Sequence, residues 1–305
     1  GRTTDPVRMY MREMGTVELL TREGEIQIAK RIEEGMTQVL SALASYPLTS
    51  AALLRTYDSI SENGTRLADV ISGFKDVEET APPLPDVDLL LAVDDPDAVV
   101  VEDEVVVADD DDEESAQAVV ESGPDPEETA RRFADLRALC TQTLEAIDTH
   151  GLQNPHSQEL RQQLSERFLQ FKLVPKTLDL LIANLHEVAE RVRAQEKEIM
   201  AICVNKAQMP RKTFITSFPQ SETRLEWVDE QIGAGKKHSA LLADYRNEVL
   251  QAQQQLQVIE AEARLSIHEI KDINRHMSIG EAKARRAKKE MVEANLRLVI
   301  SIAKK

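Results

Sequence analysis

The chain has 305 residues, with 54 Asp and Glu against 37 Lys and Arg, which gives a net charge of −17. Apolar residues make up 42% and aromatic residues 4%, and the abundance of Ala, Leu, Glu, Gln and Arg predicts an all-α protein of one large or two modest domains. Cys140 and Cys203 lie far apart in sequence, with no CxxC motif and no His spaced to join them in a metal site, which predicts neither a disulfide framework nor a zinc ribbon. No apolar run approaches the roughly 20 residues that a membrane helix needs. We therefore expect a soluble protein of the reducing cytoplasm, with no membrane partner.

The acidic charge is concentrated in one stretch. Residues 76–130 hold 21 of the acidic residues and no Lys or Arg, which leaves 33 acids against 37 bases elsewhere. The final segment, 271–305, carries 10 bases and 4 acids. This electropositive end suits contact with phosphates.

The first 75 residues predict four helices. Asp5-Pro6 and Gly15 are typical start and stop signals for a short helix over 6–14. Thr21 predicts the cap of a second helix, whose apolar residues recur every three or four positions until Tyr46-Pro47. Two further apolar groups, divided at Asn63-Gly64, predict the remaining helices: Leu53, Leu54 and Tyr57, then Leu67, Val70, Ile71 and Phe74.

Residues 76–124 predict a disordered acidic insertion. The segment contains prolines, the acidic run and two valine clusters, and repulsion between like charges should outweigh any small core that the valines could build. A short valine strand is the structural alternative. A nucleic-acid mimic or electrostatic spacer is the functional alternative to a merely solvated segment.

Residues 125–263 predict an antiparallel helical bundle with a second core of its own. Asp125-Pro126 is a typical helix start, and Cys140 lies on the apolar face of the helix that follows. A second helix, which includes Phe168 and Phe171, should stop at Pro175, and longer helices should follow it.

Two capping boxes, Ser266 with Glu269 and Ser278 with Glu281, predict a short helix followed by a long one. The long helix begins with the basic residues of 283–289 and ends with an apolar stripe of Met291, Leu298, Val299 and Ile302. It reaches Lys305 without a C-cap, so we expect the natural protein to continue. The stripe would then lack part of its cover, which predicts self-association through 291–303.

Catalytic and metal-binding motifs are not found. The Gly-rich turn 233–237 lacks the spacing of a phosphate-binding loop, the six histidines show no ligand spacing and are expected to be exposed, and the acidic run lacks the Gly turn of a calcium loop. We therefore expect that the chain binds neither a cofactor nor a metal and that it is not an enzyme.

The first helix combines two cations, an aromatic ring and a thioether in Arg8, Tyr10, Met11 and Arg12. Arginine binds phosphate, while Tyr and Met offer apolar faces to an unstacked base. On composition alone, an amphipathic packing helix is still the favoured interpretation.

Two segments resemble primary sigma factors of bacterial RNA polymerase, the sigma-70 family. Asp5-Pro6-Val7-Arg8-Met9-Tyr10-Met11-Arg12-Glu13-Met14-Gly15, continuing to Ala29-Lys30, resembles the family's first DNA-contacting block. Met277-Ser278-Ile279-Gly280-Glu281-Ala282-Lys283, with 294–305, resembles the opening of its core helical domain. These matches cover about a quarter of the chain. Residues 76–263 are similar only in kind to the variable helical insertion of proteobacterial members.

The resemblance implies three parts: DNA-contacting helices in 1–45, the variable insertion in 46–265 and the start of the core helical domain in 266–305. It also implies a cytoplasmic, non-enzymatic subunit that binds core RNA polymerase through the clamp helices of the largest subunit. Such a subunit recognises promoter DNA in transcription initiation. The family's DNA-melting aromatic residues would lie beyond the final helix.

Site residues follow from the same resemblance. Arg8, Tyr10, Met11 and Arg12 would contact the single-stranded non-template strand in the discriminator. The pocket for the last flipped base of the minus-ten element would be lined by Leu19, Glu25, Asn295 and Leu298. Arg66 would touch duplex phosphates upstream. The alternative function is a helical scaffold whose basic tail binds an acidic partner.

Overall fold

The computed structural model describes residues 20–63, 66–75 and 125–303. Two sequence predictions, the short helix over 6–14 and the disordered insertion over 76–124, lie outside these residues.

Helices account for most of the described chain, which confirms the all-α prediction. The ten helices and two strands of this part are α1 (Arg22–Ala44), α2 (Pro47–Asn63), β1 (Ile71–Phe74), α3 (Pro126–His150), α4 (Pro155–Leu169), β2 (Phe171–Leu173), α5 (Pro175–Met200), α6 (Arg211–Ser217), α7 (Glu226–Gly233), α8 (Ser239–Asp244), α9 (Arg246–Ala263) and α10 (Ile267–Ala303). A 3-10 turn over Leu67–Asp69 precedes β1, and a π-helical turn over Ala201–Lys206 follows α5.

Several helices begin where the sequence signals predict. The Thr21 side chain accepts a hydrogen bond from the Gly24 amide at 3.2 Å, and Asp125 accepts one from the Glu127 amide at 3.2 Å. Each bond satisfies an amide that has no partner within its own helix. Pro126 and Pro175 occupy first helical positions, where a missing N–H costs little.

The helix predicted through Leu67, Val70, Ile71 and Phe74 is wrong. This segment forms the 3-10 turn and then β1, which pairs antiparallel with β2, so that Phe74 lies opposite Phe171. Phe171 likewise lies in β2 rather than in the preceding helix. Short apolar runs do not distinguish helix from strand, and the pairing partner lies about 100 residues away in the sequence.

One continuous apolar core serves both sides of the acidic stretch, so the expectation of two separate cores is wrong. Val39, Leu43 and Leu53 belong to the same buried cluster as Phe133 and Leu256. Tyr57 of α2 stacks on Phe133 of α3 with ring centroids 3.9 Å apart. The N-terminal helices and the bundle are therefore packed as one body.

The last helix, α10, is one continuous element of 37 residues. The first capping box is confirmed: the Ser266 amide and hydroxyl donate to the Glu269 carboxylate at 3.1 and 2.8 Å. The second start at Ser278 is wrong, because the buried stripe of Ile270, Met277 and Ala284 continues through that position. No helix of the described chain is long and apolar enough to cross a membrane.

Candidate nucleic-acid interface

Helices α1 and α10 pack against each other in opposite directions, and their backbones approach closely at two glycines. A Cβ atom placed on Gly35 would lie 2.8 Å from both the Ala284 nitrogen and the Gly280 oxygen. A Cβ on Gly280 would lie 2.9 Å from the Gly35 oxygen. The two backbones are thus in direct contact, as small residues allow. We call the α1–α10 contact the seam.

Polar contacts follow one flank of the seam. Arg31 Nη2 lies 2.6 Å from Glu290 Oε2, and Lys283 Nζ lies 2.7 Å from Glu34 Oε2. Nearer the start of α10, Gln38 Nε2 donates to the His276 carbonyl at 3.2 Å. As the residue number falls along α1, the partner number rises along α10, which establishes the antiparallel register.

The positive charges on this flank favour the ionised form of Glu34. The hydrogen bond from Lys283 and its positive charge lower the pKa of the Glu34 carboxyl below its ordinary value. Both members of this pair are largely exposed, so the pair contributes more to register than to stability.

The register brings Glu25 and Asn295 to the same end of the seam. Counting ten residues back from Gly35 and ten forward from the turn 280–284 places Glu25 level with 290–294, and Asn295 lies within one turn of that level. Successive residues are rotated by about 100° around a helix axis. This rotation puts the ion pairs Arg31–Glu290 and Lys283–Glu34 on one side of the seam. Glu25 and Asn295 fall on the other side, and both are exposed.

The remaining site residues from the sequence are placed as follows. Arg8, Tyr10, Met11, Arg12 and Leu19 lie outside the described residues, and so does the side chain of Leu298. Arg66 is exposed beside the small sheet, where its amide donates to Asp69 Oδ2 at 3.1 Å. Arg66 is therefore on a different element from the seam.

The surface of α10 away from the core is basic and then apolar. Arg285, Lys288 and Lys289 are exposed, and they are followed by Val292, Leu296 and Val299 with exposed fractions of 57%, 45% and 62%. These six residues share one face of the helix at spacings of three and four. We call them the outer face of α10. From the predicted stripe, Val299 belongs to this face, Met291 is 37% exposed near the seam, and the Ile302 side chain is outside the described set. The sequence interpretation missed Val292 and Leu296.

The first half of α10 is held by ion pairs from the bundle. Lys271 Nζ lies 2.7 Å from Glu196 of α5 and 2.8 Å from Glu222, which precedes α7. Arg161 of α4 contacts Glu269 at 3.0 Å. Burial alone would lower the pKa of Lys271, but hydrogen bonds to the two carboxylates outweigh it and raise this pKa. These contacts fix α10 to helices far from it in sequence.

Other polar side chains offer little chemistry. No three His, Cys, Asp or Glu side chains converge as a metal site within residues 20–63, 66–75 and 125–303. The prediction of exposed histidines is wrong for His238, which is buried at the start of α8 beside the buried Ser239, and for His186, which is half-buried. Burial and the charge of Lys236 lower the His238 pKa.

Both cysteines are buried. Cys140 is the core thiol that the sequence predicts. Burial raises the pKa of the Cys203 thiol to about 12 and also raises that of Cys140. Thiols of this kind are unreactive.

Comparisons with known proteins all match the chain to the same family. Residues 5–38 match the family model "Sigma-70 factor, region 1.2", and residues 46–260 match "Sigma-70, non-essential region". The RNA polymerase sigma factor RpoD of Neisseria gonorrhoeae is 37% identical over 318 aligned positions, which cover the whole of this chain and 48% of that protein. The chain thus spans about half the length of this curated relative.

Proposed function

The chain belongs to the sigma-70 family, and on that premise we propose that it acts in transcription initiation, as the promoter-contacting part of a sigma subunit of bacterial RNA polymerase. In this role it works in the cytoplasm and is not an enzyme. It binds the core polymerase and places its own side chains against promoter DNA.

The arrangement of Glu25 and Asn295 is the observation that carries the proposal. A carboxylate and an amide stand at the same end and on the same side of two helices whose backbones touch. Such a pair can accept from and donate to the edge of one unstacked base, which is how single-stranded bases are read. Leu19 and Leu298 would supply apolar walls for the same base, the last one of the minus-ten element.

Two further contacts complete the proposed DNA path. Arg8, Tyr10, Met11 and Arg12 precede α1 and would hold the discriminator by phosphate contacts and stacking. Arg66 would contact duplex phosphates upstream, consistent with its exposed position away from the seam.

The outer face of α10 is the proposed surface for core polymerase, against the clamp helices of its largest subunit. Its apolar half exposes three large side chains in a row, which is typical of a surface that a partner covers. Its basic half adds salt-sensitive attraction to phosphates or to an acidic partner.

The test compares an intact single-stranded minus-ten oligonucleotide with one that is abasic at the last position of the element. We expect the chain to bind the intact strand more tightly, and Asn295→Ala to lower this preference about tenfold, the value of one well-placed base contact. Asn247→Ala is the matched control, since Asn247 is an exposed amide on α9. Equal binding of both strands by the unmodified chain would contradict the proposal.

A helical scaffold that binds an acidic partner through the basic residues of α10 is the alternative, and the exposed Arg285, Lys288 and Lys289 favour it. The same titration separates the two functions. A scaffold would bind an acidic peptide and either oligonucleotide with similar, salt-sensitive affinity.

A further inference from the structure

Two glycines that lie far apart in sequence, Gly35 and Gly280, bring the two helix backbones of the seam into close contact. Gly35 is in the middle of α1 and Gly280 is in the middle of α10. Glycine lowers helix stability by about 1 kcal/mol relative to alanine, so its presence at both contacting positions needs a local reason. That reason is the close approach described above, which leaves no room for a Cβ on either helix.

The two nearest atoms at Gly35 are backbone atoms, which cannot move independently of their helix. The Ala284 nitrogen and the Gly280 oxygen would each be 2.8 Å from the new Cβ, against 3.4 Å for an ordinary contact. The two helices would therefore have to separate. The neighbouring seam positions are also small, since Ala284 and Ala287 are buried alanines.

We propose that Gly35 and Gly280 are positioning residues for base recognition, because their contact sets the helix separation that aligns Glu25 with Asn295. The inference rests on the proposed function. Neither glycine touches DNA. Their effect is carried along about 15 Å of α1, the rise over the ten residue steps from Gly35 to Glu25.

The opposite flank of the seam strengthens this inference. The ion pairs Arg31–Glu290 and Lys283–Glu34 are made by long, exposed side chains, which can stretch to follow a wider separation. The flank that carries Glu25 and Asn295 cannot adjust in this way, because one base can contact both side chains only at one helix separation. A small increase in separation should thus reduce base reading before it reduces stability.

The experiment measures separation and base reading on the same variants. Spin labels on Ile26→Cys and Leu296→Cys report the separation, since both positions are exposed and the native thiols are buried. Gly35→Leu should widen the distance by about 2 Å, towards the usual interaxial spacing, and Gly35→Ala by less. In the unlabelled chain, Gly35→Ala and Gly280→Ala should each lower the preference for the intact over the abasic strand about tenfold.

Two controls separate positioning from stability. Gly233→Ala, at the end of α7, meets no atom within 4 Å and should change neither quantity. Val249→Ala opens a cavity in the fully buried part of α9 and should lower the melting temperature without changing the strand preference.

Two results would overturn the inference: a widened seam with an unchanged strand preference, or a lost preference with an unchanged separation. If a glycine variant does not fold, as shown by circular dichroism, the substitution on the other helix supplies the same comparison. Failure of the proposed function is a different outcome, because there the unmodified chain would show no preference at all.

Discussion

Lys271 is the central charge between α10 and the bundle, and its replacement by methionine tests whether the insertion and the final helix form one body. Lys271→Met keeps most of the apolar stem but removes both contacts, to Glu196 at 2.7 Å and Glu222 at 2.8 Å. Glu222 is the sensitive partner, because its side chain is only 8% exposed. Without the lysine it becomes a buried carboxylate that has lost its cation.

The expected loss in the free energy of unfolding can be estimated from the burial of the two charged groups. Removing one member of a fully buried ion pair costs about 3–5 kcal/mol, but the Lys271 side chain is 35% exposed, so solvent screening lowers the expectation to about 2–3 kcal/mol. At about 2–4 °C per kcal/mol for a chain of this size, the melting temperature should fall by about 5–10 °C. Adding Glu222→Gln should recover part of the loss, because it removes the stranded charge.

Urea and thermal unfolding followed by circular dichroism measure this change. Arg191→Ala is the matched control, since its pair with Glu262 is 45% and 54% exposed and should contribute less than about 1 kcal/mol. A loss for Lys271→Met no larger than that of the control would refute the reasoning. So would two separate unfolding transitions in the unmodified chain, because they would show that α10 and the bundle unfold independently.

Three further predictions address other parts of the molecule. Burial alone would raise the pKa of Glu269, but hydrogen bonds from Ser266 and the charge of Arg161 outweigh it and lower this pKa. The ionised Glu269 carboxylate therefore stabilises the folded chain above the pKa that this group has in the unfolded chain. This stabilisation is lost as the pH falls through the lowered pKa of the folded chain. The stability difference between the unmodified chain and Glu269→Gln, from urea unfolding, should therefore shrink below about pH 4.5; a constant difference down to pH 3 would contradict this. Replacing 76–124 with a short Gly/Ser linker should leave the melting temperature nearly unchanged, and a large fall would show that the segment packs. Leu296→Ser should reduce self-association in a light-scattering dilution series, whereas an unchanged mass would exclude the outer face of α10 as the contact.

Local signals in the sequence determined where several of the helices begin and which class of fold they build. Thr21 and the Ser266 box act within one turn of their own positions, so a single sequence is enough to recognise them. The second box at Ser278 shows the limit of that logic. A local start signal does not interrupt a helix when a buried stripe on either side continues to pack.

The site residues also divide into those that a local motif identifies and those that only the tertiary structure brings together. The motifs around Arg8 and Asn295 are contiguous and could be recognised from the sequence, while the roles assigned to them remain proposals. The contact between Gly35 and Gly280 could not be foreseen, since it joins positions 245 residues apart. A weak signal was available in Gly280 and Ala284, two small residues four apart on a helix.

What the sequence determined by itself is therefore the helical content, several of the caps and the family. Only the tertiary structure decided that the chain has one core, that β1 pairs with β2, and that α1 and α10 meet backbone to backbone. The physical reason is that caps and periodicity depend on neighbours within a few residues. Helix separation and strand pairing depend instead on which distant surfaces exclude water together.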